Sequence, residues 1–234
     1  MKTINEKQIK IGATRYLIRS LIAPVLMGTV YFVSAGNIQN ARAWFYYALF
    51  FSLSVAINGI LYIKKPELLF HRSKFKSDAK GWDNWLMPIA VLTGFHLQSI
   101  TMGLDARFSW SFIDQKYIIV GCVLYLFSLL FSTWAMYVNH HFEANVRIQK
   151  DRNHQVISTG PYAIIRHPGY LAFIVGSFAI PLIIGSIYGL LNAIVATILI
   201  LIRTSKEDQT LNLELHGYQQ YSKIVSYRII PGVW

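Results

Sequence analysis

Apolar residues run in blocks along this chain rather than in alternation. Four blocks, residues 16–35, 43–63, 86–104 and 117–138, hold almost no charge. Each is close to the roughly 20 residues a helix needs to cross a bilayer. A closing pair follows at 170–184 and 187–202, 15 and 16 residues long, broken at Gly185-Ser186. At about 1.5 Å per residue, each member of that pair falls short of a hydrocarbon core roughly 30 Å thick. Either one is therefore expected to extend at the end away from the turn. The pattern predicts an all-α integral membrane protein of five to six transmembrane helices, closed by a helical hairpin. One membrane domain, 1–234, is the simplest division, with spans in 1–138 and the polar chemistry in 139–234.

Composition agrees with lipid as the solvent. The chain is 54% hydrophobic and 14% charged, against about 25% charged residues in soluble domains. Its net charge of +11 raises nucleic acid as a partner, and the distribution of that charge excludes it. With the N-terminus inside and six spans, 19 Lys and Arg fall on the inner side and only Arg42, Arg107 and Lys116 on the outer. That is the positive-inside bias, so the basic excess sets topology and meets anionic membrane lipids. The first twenty residues carry no apolar core followed by a small-residue cleavage site, so no cleaved signal is expected. Cys122 is the single cysteine, which excludes an internal disulfide. Residues 64–85 are too polar to span; their mix of Leu, Phe, Trp and Lys suits an amphipathic element at the interface, anchored by Trp82 and Trp85.

The chemistry concentrates in residues 153–170, NHQVISTGPYAIIRHPGY. Gly160-Pro161 marks a turn, and Pro168 suits the first position of the fifth span. The free N–H groups and partial positive charge of a helix start favour an anionic group. Arg166 and His167 stand just before it, and Tyr162 and Tyr170 offer aromatic faces for a base or a cation. The hairpin then returns the chain to the same side, with Arg203 and Glu207 one turn apart. Connectivity alone places the two patches together. Their ordinary reading is an i,i+4 ion pair, worth a few tenths of a kcal/mol. Charges at a membrane boundary are costly, however, unless they face a polar cavity. His140 and His141 read as a continuation of the fourth helix, where neighbours point about 100° apart, so no metal site is expected.

The order HQVISTGPYAIIRHPGY, apolar hairpin, Arg203-x-x-x-Glu207-Asp208, Gly217-Tyr218…Tyr221, Pro231 resembles the isoprenylcysteine carboxyl methyltransferase family. That family groups integral-membrane enzymes using S-adenosyl-L-methionine, related to the phospholipid N-methyltransferases. The resemblance covers the chain from Gln149 to its end. It implies that His154, Gln155, Val156, Ile157, Tyr162, His167, Pro168, Gly169, Tyr170 and Glu207 bind the cofactor on the cytoplasmic side. Arg203 matches the residue facing the methyl acceptor. Gln149 and Arg166 are further candidates, and Asp208 stands where the family often has a second glutamate. The tail from Gly217 reads as a packing lid.

The implied partner is a lipophilic or prenylated acceptor drawn from the bilayer. An acceptor-facing arginine favours carboxyl O-methylation, gripping the carboxylate through paired N–H groups. Phospholipid N-methylation and small-thiol S-methylation are the neighbouring reactions. A non-catalytic transporter or assembly factor would share the spans and charge bias. Its mid-membrane polar groups would be Asn58, His96, Gln98 and Asn192, whereas the charges here cluster at the mouth. The host membrane is the cell inner membrane or the endoplasmic reticulum.

Overall fold

A computed structural model describes residues 5–73 and 78–234, and every regular element among them is helical. Asn5 caps α1 (Glu6–Ala35) by accepting from the Lys7 N–H, and Gly36 ends it in the left-handed conformation. Asn40 caps α2 (Ala41–Lys64) in the same way through the Ala43 N–H. A short α3 (Pro66–Ser73) then lies against α1, burying Leu68, Leu69 and Phe70. Part of the interfacial segment expected at 64–85 is this helix; residues 74–77 lie outside the described residues, as do 1–4. Of its two expected anchors, Trp85 is exposed and Trp82 is half-buried.

The third apolar block forms one run in three parts: α4 (Asp83–Val91), a π-helical stretch (Leu92–Leu97) and α5 (Gln98–Phe108). Next come α6 (Tyr117–Val138), α7 (Pro168–Ile184), α8 (Ile187–Glu214) and the short α9 (Tyr218–Ile224). Among the described residues five helices are long and apolar enough to cross a membrane: α1, α2, the 26-residue run Asp83–Phe108, α6 and α8. At 17 residues α7 is the shorter sixth. The protein is thus an all-helical integral membrane protein of five to six spans. The expected extension is borne out most fully in α8, which continues as helix to Glu214, twelve residues beyond the apolar block.

Two devices hold the far end of the bundle. Gly185 turns the chain at φ +102° and Ser186 caps α8 through the Gly189 N–H, which folds α7 and α8 into the expected antiparallel pair. The Arg42 guanidinium donates to the carbonyls of Leu182, Ile183 and Ile113, each at 2.7 Å. It thereby satisfies the open C-terminal carbonyls of α7. Deeper in the bundle, buried Gln98 donates to the Ser177 and Gly189 carbonyls, tying α5 to α7 and α8. This mid-membrane polar residue has a packing role.

Candidate functional site

At the other end, α6 stops at Val138, where the sequence pattern had suggested that the helix continues through the histidines. The reason is Asn139, whose backbone is extended. Its side chain accepts from the His141 N–H at 2.8 Å and donates to the Tyr162 hydroxyl at 3.1 Å. An Asn that offers the backbone an alternative partner ends helices readily. His140 and His141 are therefore loop residues with rings 4.1 Å apart, and His141 faces His154 at 4.5 Å.

The loop is fastened by polar side chains. Gln149 donates to the His141 carbonyl at 2.6 Å, while its own N–H is accepted by His154 Nδ1 at 3.3 Å. The Gln155 N–H is accepted by His141 Nε2 at 3.3 Å, which leaves Nδ1 as the protonated nitrogen facing Gln149 Oε1. Burial and neighbouring cationic groups hold both histidines down at about 4. Buried Arg147 binds Glu143, Asp78 and Asp151, which together hold its proton still more firmly.

Beyond the loop, Pro168 opens α7 with His167 as the residue before it, as expected. The N–H groups of Arg166 and His167 are accepted by the carbonyls of Tyr227 and Arg228, so the C-terminal tail runs along this segment. The Arg166 guanidinium binds Asp208 through two bonds, at 2.8 and 3.0 Å, and reaches the Val225 carbonyl at 2.7 Å. His167, Tyr218 and Arg228 also converge on Asp208.

Arg203 is 3% exposed, and Asp83, wholly buried, takes its Nε and Nη2 at 2.6 and 3.0 Å. Nη2 also donates to the Ala144 carbonyl, and Nη1 donates to the Tyr170 hydroxyl, which in turn donates to Glu207. Arg203 and Glu207 thus meet through Tyr170 rather than as the i,i+4 pair. The paired N–H edge expected to grip an acceptor carboxylate is held by Asp83. Of five guanidinium N–H groups, one, on Nη1, is left over.

These groups surround a cavity of about 400 Å³, a size common to ligand sites. Its walls include His154, Gln155, Val156, Ile157, Tyr162, the run His167–Tyr170, Arg203 and Glu207, with Gln149 and Arg166. Every candidate read from the sequence is there except Asp208, which packs behind the wall. Tyr218 and Tyr221, read as a lid, line it as well. The cavity continues as an apolar arm lined by Phe50 of α2, Phe95 of the π-helical stretch, Tyr125 of α6 and Gly176 of α7.

Sequence reasoning missed Asp83, Arg72 and Phe142. Asp83 had a usable signal, since a carboxylate in the first turn of an apolar helix needs a cationic partner. Arg72 and Phe142 had none, because one sits on the short α3 and the other in the loop after α6, and packing sets the place of both.

Fold and site together define an integral-membrane protein with a pocket at its helix mouths, polar at one end and apolar at the other. Within that class the model of the isoprenylcysteine carboxyl methyltransferase family matches residues 119–213, so that segment of the chain is similar to the family. Protein-S-isoprenylcysteine O-methyltransferase of Saccharomyces cerevisiae is 34% identical over 67 residues. That stretch is 28% of this chain and 28% of the yeast protein, so the chain matches a little over a quarter of that relative's length.

Proposed function

We propose that the protein is a methyltransferase that uses S-adenosyl-L-methionine and methylates the carboxyl group of an isoprenylcysteine-like acceptor. One observation carries the reading: a single cavity joins a hydrogen-bonding mouth to an apolar arm between helices. A polar cofactor and a lipid-borne acceptor need that combination in one space.

The residues present fit such a cofactor. The start of α7 at Pro168–Tyr170 faces the cavity, with a partial positive charge suited to a carboxylate. Glu207 is an acid in the wall suited to an ammonium or a ribose hydroxyl. Tyr162, buried in the cavity wall, offers an aromatic surface to a base. When bound, S-adenosyl-L-methionine supplies an electrophilic methyl group on a sulfonium. An acceptor carboxylate is already ionised near neutral pH, so the protein's task is alignment in a dry site rather than proton removal. Asp83 fixes the guanidinium of Arg203, and Tyr170 links it to Glu207, so the two polar walls hold one geometry. The apolar arm takes the lipid chain. The mouth faces the cytoplasm in this reading, in keeping with the basic residues around it, and the membrane is the cell inner membrane or the endoplasmic reticulum.

Calorimetry on the detergent-purified protein tests this with S-adenosyl-L-methionine and its demethylated product. Saturable binding is expected, weakened about tenfold or more in Glu207→Ala through loss of a charge-assisted hydrogen bond. Absence of binding by folded wild-type protein, repeated in lipid nanodiscs, would overturn the methyltransferase reading.

A further inference from the structure

Four arginines line the cavity: Arg72, Arg147, Arg166 and Arg203. Three are bound to carboxylates, Arg147 by Glu143, Asp78 and Asp151, Arg166 by Asp208, and Arg203 by Asp83. Arg72 makes no ion pair among the described residues. Its Nε donates to the Tyr16 hydroxyl at 3.1 Å, while its Nη1 is buried and has no hydrogen-bond partner. Buried polar groups are almost always paired, and an unpaired guanidinium atom in a cavity wall asks for a ligand.

The guanidinium is also held in place. It lies over the Tyr16 ring at 5.5 Å and the Phe142 ring at 5.1 Å, a pair of cation–π contacts that fix its plane. Phe142 sits in turn against the start of α7, where a Cβ on Gly169 would come within 2.7 Å of the ring. A bare glycine there lets one aromatic ring pack on both the helix start and Arg72. A planar, pre-positioned guanidinium with an unpaired Nη1 matches a carboxylate better than a point charge would.

We propose that Arg72 is the carboxylate-binding residue of this pocket, the part first assigned to Arg203. The inference rests on the methyltransferase reading for the identity of the ligand. Two carboxylates would reach the pocket, that of the methyl acceptor and that of the cofactor's amino-acid end. Arg72 lies outside residues 119–213, so it is no part of the segment that the family model matches.

The test is calorimetry on full-length wild type, Arg72→Gln and Arg72→Lys in nanodiscs, with thermal melting as the control for folding. The ligands are S-adenosylhomocysteine, N-acetyl-S-farnesylcysteine and the carboxamide of the latter. Loss of about tenfold or more in affinity for the farnesylcysteine acid, with the carboxamide and S-adenosylhomocysteine unchanged, assigns Arg72 to the acceptor. The same loss for S-adenosylhomocysteine assigns it to the cofactor. Lysine keeps the charge but not the fork, so it should restore part of either loss; it also stands in if the glutamine variant does not fold. Unchanged affinity for both carboxylates overturns the proposal. If wild type binds no farnesylcysteine, the proposed acceptor falls, and the S-adenosylhomocysteine arm still decides Arg72.

Discussion

His141 and His154 are both held neutral at the cavity mouth, and each accepts a backbone N–H, from Gln155 and Gln149 respectively. Protonating either ring nitrogen would set two donors face to face. The folded values of about 4 lie below the ordinary 6.5. Between those values the unfolded chain binds more protons than the folded one, so stability rises with pH across the window. It is fully present above about 6.5 and is lost as pH falls toward about 4. Thermal melting in detergent should therefore drop between pH 7 and pH 4.5. His154→Asn and His141→Gln, which keep an acceptor but cannot titrate, should flatten the drop. A wild-type slope unchanged in both variants would count against the arrangement. His154 was legible in the sequence because it sits in the 153–170 motif, whereas His141 read as a continuation of the fourth helix. Their partners were not legible, because Gln149, His141 and Asn139 act through a loop geometry that no helix period encodes. Arg203 shows the same limit. Its presence at the mouth followed from the hairpin, but Asp83, 120 residues earlier, is its partner only once α4 and α8 pack together.

Among the elements, the α6–α7 contact borders the apolar arm through Ser128 and Gly176. Gly121 of α6 lies so near α7 that a Cβ would stand 2.7 Å from Ile183 Cγ1 and 3.0 Å from the Ala179 carbonyl oxygen. On the opposite helix, a Cβ at Gly176 would stand 2.7 Å from Ser128 Oγ, the hydroxyl that donates to the Ala172 carbonyl. Small residues at such interfaces let backbones approach closely. Gly121→Val should cost about 1–3 kcal/mol by overpacking, read as a lowered melting temperature. Gly59→Val is the control, since nothing lies within 4 Å of its added Cβ. Equal melting of the two variants would show that the α6–α7 contact is not under such strain. The spans themselves were readable, with α6 starting and ending where the apolar block does. Hydropathy senses what a segment dissolves in, so it located the spans. It carries no hydrogen-bond pattern, so it could not show the π-helical stretch at Leu92–Leu97, or that the helix itself stops with the apolar block at Val138.

Across the whole molecule, two adjacent acids divide the work of α8. Neighbours on a helix point about 100° apart, and here Glu207 turns to the cavity while Asp208 turns to the tail. Asp208 was read as a candidate for the pocket; instead it gathers Arg166 and His167 from before α7, Tyr218 from α9 and Arg228 from the tail. The Val225, Tyr227 and Arg228 carbonyls take donors from Arg166 and His167, so the segment after α9 backs the cavity wall. Tyr218 and Tyr221, which line the cavity, are carried on the same segment. Removing the acid should then release wall and tail together. Asp208→Ala leaves a buried, 3%-exposed site with two guanidinium groups lacking their shared carboxylate, a change that costs about 3–5 kcal/mol where a buried pair is broken. Trypsin should cut after Lys223 and Arg228 faster than in wild type, and calorimetric affinity for S-adenosylhomocysteine should fall with it. Faster cutting without loss of affinity would detach the tail from the pocket and leave Asp208 a purely local fastening. A protected tail with unchanged affinity would remove the clamp altogether. Only the coupled loss makes the C-terminal segment a working wall of the site, which is the arrangement these four converging donors require.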